Sequence, residues 1–143
     1  LASKTKSASS DGLCLSQLGS FLAFTPLGDP SEIARVAATC VTELDGFRAP
    51  VSEDELARRR AARLSPQQEA LLSAWGYPYV LDQVKFHLTL TGRLKEPDLS
   101  DALAYLNENG PDLPAPFEMN SIALVGARSD GRFQLIERFA LLG

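Results

Sequence analysis

The stretch that most constrains the fold is an alternating segment at residues 84–93, with the sequence VKFHLTLTGR. In a β-strand, successive side chains point to opposite faces of the sheet. One face would carry Phe86, Leu88 and Leu90, and the other would carry Lys85, His87, Thr89, Thr91 and Arg93. The segment therefore predicts a strand whose apolar face packs under the helices predicted at residues 31–44 and 99–109.

The polar face of this strand suits an oxyanion. It combines two cations, two hydroxyls and the one histidine of the chain, and it contains no acid. Lys and Arg supply charge, Thr supplies hydroxyl donors, and His can move a proton near neutral pH. An ordinary exposed strand also carries Lys, Thr and Arg on its solvent face. Spacing alone leaves both interpretations open, a phosphate site and a plain surface strand.

The remaining elements predict an α+β fold of about five mostly antiparallel strands, backed by helices on one face. Helices are predicted at residues 31–44, 52–60, 65–75 and 99–109. Ser31 caps the first helix, Ser52 and Glu55 form a capping box on the second, and Ser65 and Gln68 form a capping box on the third. Strands are predicted at residues 12–18 and 20–25, as a pair or as one bent strand, at 117–127, and at 132–141 after a turn at 129–131. Residues 1–11 are small and polar and are expected to be a flexible lead or a truncated end, followed by a single domain at 12–143.

Composition narrows the class of protein. A chain of 143 residues that is 45% hydrophobic can form one domain with a core, and a net charge of −4 argues against a general nucleic-acid coat or a polybasic membrane patch. No apolar run approaches the roughly 18 residues of a membrane span, and the first residues of the given sequence show no signal-peptide pattern. Cys14 and Cys40 are expected to be reduced core residues of a cytoplasmic protein. Two cysteines and one histidine are too few for a zinc site of this type, and no metal or other cofactor is predicted.

Four segments, in this order and spacing, resemble the DUF1045 proteins, which are found with phosphonate-utilisation genes. They are residues 47–50 (FRAP), 55–59 (ELARR), 75–80 (WGYPYV) and 86–93 (FHLTLTGR). The resemblance runs from about Gly12 to the end of the chain and includes the segment at 132–139. That family belongs to the 2H phosphoesterase superfamily, named for two His-x-Thr/Ser motifs. The resemblance implies two pseudo-symmetric lobes around a cleft, each contributing one such strand, and acid–base catalysis by two imidazoles without a metal.

The chain departs from that pattern because it carries one His-x-Thr motif. His87 and Thr89 match the second motif, so the resemblance implies either a chain incomplete at its N-terminus or a degenerate member that binds without catalysis. His87 and Thr89 are the predicted catalytic residues, and the predicted phosphate or substrate contacts are Lys85, Thr91, Arg93, Tyr77 and Tyr79. The aromatic pair that brackets Pro78 could wall a pocket or form a packed corner.

Three functions stay open at this point. The first is a 2H-type phosphoesterase acting on a small cyclic or diester phosphate, with a sugar phosphate of phosphonate breakdown as one candidate. The second is a non-catalytic module that binds a phosphate ligand or a protein on the same strand face, and the third is a scaffold in which His87 is an ordinary strand residue. The expected partner is a small-molecule phosphate ester, with an RNA end less favoured and no membrane. Residues 1–143 alone are expected to be inactive.

Overall fold

The computed structural model describes residues 1–143 and has an α+β architecture with four α-helices and seven strands, all paired antiparallel, which confirms the predicted fold class. The elements are β1 (Ala8–Ser10), β2 (Gly12–Leu18), β3 (Phe21–Leu27), α1 (Ser31–Leu44), α2 (Glu53–Arg60), α3 (Pro66–Trp75), β4 (Leu88–Thr89), α4 (Asp98–Asn109), β5 (Phe117–Met119), β6 (Ser121–Ala127) and β7 (Phe133–Ala140). None of these helices has the length and apolar composition needed to cross a membrane.

The chain divides into two compact units. The first unit contains residues 1–7, 34–85 and 120–143, and the second unit contains residues 8–33 and 86–119. Residues 1–11, where the sequence predicted a flexible lead or a truncated end, hold a 3-10 helix at Ala2–Lys4 and the strand β1. The single domain expected over residues 12–143 stays a prediction.

The second unit is organised by the β2–β3 hairpin. The two strands pair from Gly12↔Leu27 to Leu18↔Phe21 around Gly19, whose φ of +63° suits a residue without a Cβ. This confirms paired strands and excludes one bent strand. Strand β4 adds to the β3 side, and helix α4 packs against both β2 and β3. Strand β1 pairs separately with β5.

The long strand predicted at residues 84–93 is wrong in its extent, because only Leu88–Thr89 forms a ladder with β3. The predicted burial of the apolar face is also wrong for two of its three residues, since Leu88 is 41% exposed and Leu90 is 38% exposed. The physical reason lies in the sheet: β4 is an edge strand, and the N–H groups of Leu90 and Thr91 both donate to the carbonyl of Leu22, which interrupts the alternation. Phe86 does meet an apolar partner, with its ring centroid 5.8 Å from that of Phe117.

The strand predicted at residues 117–127 is also divided. Its first three residues form β5, which pairs with β1, and after Asn120 the chain continues as β6, which pairs with β7. Periodicity shows that a segment is extended but does not show which partner each part will choose. The turn predicted at 129–131 is confirmed by a hydrogen bond from the Gly131 N–H to the carbonyl of Arg128. All residues of β7 are exposed, including Phe133 at 78%.

The predicted helices are present, with two differences at their caps. Ser31 is the first helical residue of α1 and donates its N–H (2.9 Å) and hydroxyl (2.8 Å) to Asp29, and these bonds lower the pKa of the Asp29 carboxyl. Ser52 accepts from the N–H of Glu55, but the Glu55 carboxylate does not close a capping box, because it pairs with Arg58 and Arg59. The capping box of Ser65 and Gln68 on α3 is confirmed, and that helix ends at Gly76 in the left-handed conformation.

Candidate functional site

The candidate site lies on one face of the β2–β3–β4 sheet in the second unit. The ladder sets Thr89 opposite Ala23, and Ala23 opposite Ser16, while Cys14 lies opposite Thr25. Directly opposed residues share a sheet face, and so do residues two apart on a strand. We call this surface the polar face, and it is formed by Cys14, Ser16, Phe21, Ala23, Thr25, His87 and Thr89.

His87 joins the polar face through its contact with Phe21. The two ring centroids are 5.8 Å apart and the ring planes are inclined by 47°. This tilted geometry is one that aromatic rings favour, and it gives the imidazole a fixed neighbour while leaving the residue exposed.

An open depression of about 270 Å³ lies next to this ring pair and is lined by Phe21, Thr89, Thr91, Gly92 and Arg93. Three of the predicted site residues therefore meet here: Thr89, Thr91 and Arg93. No acidic side chain lines the depression, so the positive charge of Arg93 is not cancelled by its lining. The surface that faces the hollow is mostly apolar, so phosphate contacts from Thr89, Thr91 and Arg93 stay a prediction.

Thr91 also has a clear role in the backbone. Its hydroxyl accepts from the N–H of Leu22 (3.0 Å) and donates to the carbonyl of Gly92 (2.9 Å). These two bonds hold the chain against β3 just beyond the short ladder of β4. The predicted contact of Thr91 with phosphate stays a prediction, and the bonds in the structure show how this residue fixes the loop that presents Arg93.

The remaining predicted contacts, Lys85, Tyr77 and Tyr79, belong to the first unit. The Tyr77 and Tyr79 rings meet edge to face, with centroids 5.6 Å apart, and the guanidinium of Arg59 lies 4.6 Å from the centroid of Tyr77. This cation–π contact makes Tyr77 part of an ordered aromatic corner. Participation of these three residues in a phosphate site stays a prediction.

Charge pairs surround this corner within the first unit. Glu55 accepts from Arg58 and, at 2.8 Å, from Nε of Arg59, while Arg60 donates to Glu69. Burial by itself raises the pKa of Glu55, but the bonds from Arg59 and Arg58 outweigh it, so the pKa lies below its ordinary value. The pairing with Glu69 raises the pKa of Arg60. Arg58, Arg59 and Arg60 thus all form ion pairs within the first unit.

Sequence reasoning missed three residues of the polar face, namely Ser16, Phe21 and Thr25. Their alternation with leucines in residues 12–18 and 21–27 was visible, but the sequence did not show that this hairpin is the neighbour of the His-x-Thr strand. Neither cysteine forms a disulfide, and both are half-buried where core positions were expected; burial raises the pKa of the Cys40 thiol. The structure contains no group of three His, Cys, Asp or Glu side chains placed to hold a metal ion.

The fold and the site define an α+β protein that carries one His-x-Thr sequence next to a small open hollow. The family model "Protein of unknown function (DUF1045)" matches residues 1–134, and the chain belongs to that family. No solved structure matches the chain.

Two curated relatives carry the name "Ribose 1,5-bisphosphate phosphokinase PhnN". The one from Janthinobacterium sp. (strain Marseille) is 49% identical over 78 residues, which is 54% of this chain and 17% of that protein. The one from Laribacter hongkongensis (strain HLHK9) is 35% identical over 87 residues, which is 61% of this chain and 20% of that protein. The aligned region therefore spans a fifth or less of the length of these relatives.

Proposed function

We propose that this chain binds the phosphoryl group of a small phosphate ester on the polar face, and that the whole protein is a phosphoesterase of the 2H type. The observation that carries the proposal is the grouping of Thr89 and Arg93 around one hollow beside the Phe21–His87 ring pair. The names of two relatives, which refer to a kinase of ribose 1,5-bisphosphate, support a phosphate ester as the ligand, and so does the resemblance to proteins found with phosphonate-utilisation genes.

Each residue has a defined role in this proposal. His87 acts as the general acid or base at one end of the displacement, and Thr89 donates a hydrogen bond to a phosphoryl oxygen. Arg93 balances the negative charge that the phosphoryl group brings into the hollow. Thr91 orients the loop that carries Arg93 and also lines the hollow. Lys85, Tyr77 and Tyr79 remain proposed substrate contacts. The proposal requires neither a metal nor another cofactor.

The proposed substrate is a cyclic or diester phosphate of a sugar. Because the relatives are named for a kinase of ribose 1,5-bisphosphate, a phosphorylated pentose is the first choice. An RNA end is less favoured, since the chain has a net charge of −4. The proposal places the protein in the cytoplasm with a small-molecule partner.

A non-catalytic phosphate-binding module is the second candidate. The observation that favours it is the single histidine of the chain, because hydrolysis by the 2H scheme uses one imidazole as base and another as acid. We therefore expect residues 1–143 alone to bind phosphate and to show little or no turnover of a 2′,3′-cyclic nucleotide or a ribose cyclic phosphate. The whole gene product should turn such a substrate over, and His87→Ala should abolish that activity.

Binding is tested by titrating inorganic phosphate while following the ring resonances of His87 by NMR, which need no assignment because the chain has one histidine. We expect the resonances to shift at millimolar phosphate, and Arg93→Gln or Thr89→Val to weaken the response several-fold. Arg132→Gln, which removes an exposed cation of the first unit, is the matched control and should leave the response unchanged. Unchanged shifts in the wild-type chain would remove the anion site, and turnover that survives His87→Ala would exclude the catalytic role.

A further inference from the structure

Phe21 touches both parts of the candidate site. Its ring centroid lies 5.8 Å from that of the His87 imidazole, and the two ring planes are inclined by 47°. The same side chain lines the open hollow together with Thr89 and Arg93, and His87 is not part of that lining. The imidazole and the hollow therefore both adjoin one phenyl ring, and the place of that ring affects the place of each.

The backbone of Phe21 is held on both sides. Before it, the carbonyl of Ser20 accepts from the N–H of Leu94 (2.7 Å). After it, the N–H of Leu22 donates to the hydroxyl of Thr91 (3.0 Å). Phe21 itself belongs to the β2–β3 ladder. These bonds tie the start of β3 to the loop that borders the hollow, so the phenyl ring starts from a fixed backbone position.

The sheet fixes less of the backbone at His87. The β3–β4 ladder begins at Leu88, one residue after His87, and residues 84–87 belong to no strand. His87 is exposed, whereas Phe21 is half-buried. Exposed side chains exchange rotamers on the picosecond-to-nanosecond timescale. A contact with an anchored ring can therefore decide which rotamer of this imidazole is most populated.

The geometry of the ring pair gives the size of the effect. Tilted aromatic pairs at this separation are stabilised beyond the burial of their surface, by an amount that corresponds to roughly 2–10-fold in population. A general acid or base must lie within hydrogen-bond reach of the proton that it moves. An imidazole that spends more of its time in one orientation is in the productive arrangement more often, provided that this orientation is the productive one.

We infer that Phe21 is a positioning residue of the candidate site, whose ring holds the imidazole of His87 in one rotamer and so sets its place relative to the hollow. The inference rests on the proposed function and adds to it the side chain that orients its general acid or base. A phenyl ring has no proton to exchange, so Phe21 acts through His87 and not on the substrate.

The test measures the rotamer of His87 by NMR in the 143-residue chain. Three-bond couplings to His87 Cγ report its χ1 rotamers, and we expect one dominant rotamer and cross-peaks between the two rings in the wild-type chain. Phe21→Leu should lower the ratio of that rotamer to the others roughly 2–10-fold, and Phe21→Tyr, which keeps a ring, should retain the wild-type couplings. Phe117→Leu is the matched control, because its ring has the same 5.8 Å centroid separation from Phe86 rather than from His87.

The wild-type spectrum alone can overturn the inference, so the test does not depend on the folding of a variant. Several equally populated rotamers of His87, or no cross-peak between the two rings, would overturn it, as would unchanged couplings in Phe21→Leu. All three results leave phosphate binding at Thr89 and Arg93 open. If the couplings respond as expected but inorganic phosphate does not move the His87 resonances, the proposed function fails, and the positioning role fails with it.

Kinetics of the whole gene product give a second readout. On a ribose cyclic phosphate, Phe21→Leu should lower kcat by about the same factor as the rotamer ratio and change KM less, because the lost contact orients the reacting group and does not hold the substrate. Phe21→Tyr should restore kcat. A Phe21→Leu enzyme with the kcat of the wild type would overturn the positioning role.

Discussion

Truncating two leucines on neighbouring strands tests the burial of the second unit most directly. Leu22 lies on β3 and is 0% exposed, while Leu88 lies on β4 and is 41% exposed. Leu22→Ala removes the same atoms as Leu88→Ala, so the difference between the two variants isolates burial. Neither change removes a backbone hydrogen bond, because the ladder bonds of both residues come from the main chain.

The expected costs follow from that exposure. A buried Leu→Ala change loses the transfer free energy and leaves a cavity, and the sum is typically about 2–5 kcal/mol. At Leu88 the removed carbons are only partly buried, so at about 0.8 kcal/mol per buried CH₂ the transfer cost is about 1 kcal/mol. No closed cavity remains at Leu88, since the position opens to solvent. We expect Leu22→Ala to cost about 1–4 kcal/mol more than Leu88→Ala.

Urea unfolding followed by far-UV circular dichroism measures both variants against wild type. Amide hydrogen exchange on β2 and β3 restricts the comparison to the second unit, which matters because the chain has two compact units and global unfolding need not be two-state. Equal costs for the two variants would refute the reasoning. They would mean that Leu88 is buried in solution and that the core strand predicted from the sequence at residues 84–93 exists after all.

Two further predictions concern the first unit. Gly76→Ala should lower the free energy of unfolding by about 1–2 kcal/mol, because Gly76 has a φ of +72°. An added Cβ there would also lie 2.7 Å from Val51 Cγ2 and 2.8 Å from Arg48 Nη1. The control variant Gly46→Ala has no atom near its added Cβ and should cost much less in the same urea titration. Glu55→Gln should make the free energy of unfolding depend less on pH in acid. The folded state lowers the pKa of Glu55, so the ionised carboxylate contributes stability at pH values above its ordinary pKa of 4.5. That stability is lost as the pH falls through the lowered pKa of the folded state, and the Glu55→Gln variant has no such contribution to lose. A Glu55→Gln chain whose unfolding free energy falls with acid as steeply as that of wild type would contradict the second prediction.

Local chemistry made the helices predictable. The capping box of Ser65 and Gln68, the Pro66 that follows it and the Gly76 that ends α3 act within a few residues of each other, so their effect is visible in the sequence itself. The hairpin turn at Gly131 is similar, because a φ of +78° selects glycine through its own backbone. The role of Asp29 as the acceptor at the start of α1 was not predicted. The sequence does not show which of several nearby side chains will accept from the first helical N–H groups.

Strand extent and burial depend on partners that are distant in sequence. The alternation at residues 84–93 predicted a central strand with one buried face, but alternation alone cannot distinguish a central strand from an edge strand. The structure gives this segment one neighbour and a two-residue ladder, so its leucines remain exposed. The segment at 117–127 shows the same effect, because Asn120 separates two short strands that pair with different partners.

The candidate site depends both on local spacing, which the sequence shows, and on strand partners that are distant in sequence, which it does not show. The sequence placed His87 and Thr89 two residues apart, and this spacing brings them to one face even though the ladder is short. It could not show that the neighbouring strand is β3, and therefore could not bring Phe21, Thr25 and Ser16 to the same face. A strand motif thus predicts which of its own side chains share a face, while the strands beside it decide which other side chains join them. For this chain those strands add an aromatic ring and a pair of hydroxyls to the face that carries His87 and Thr89.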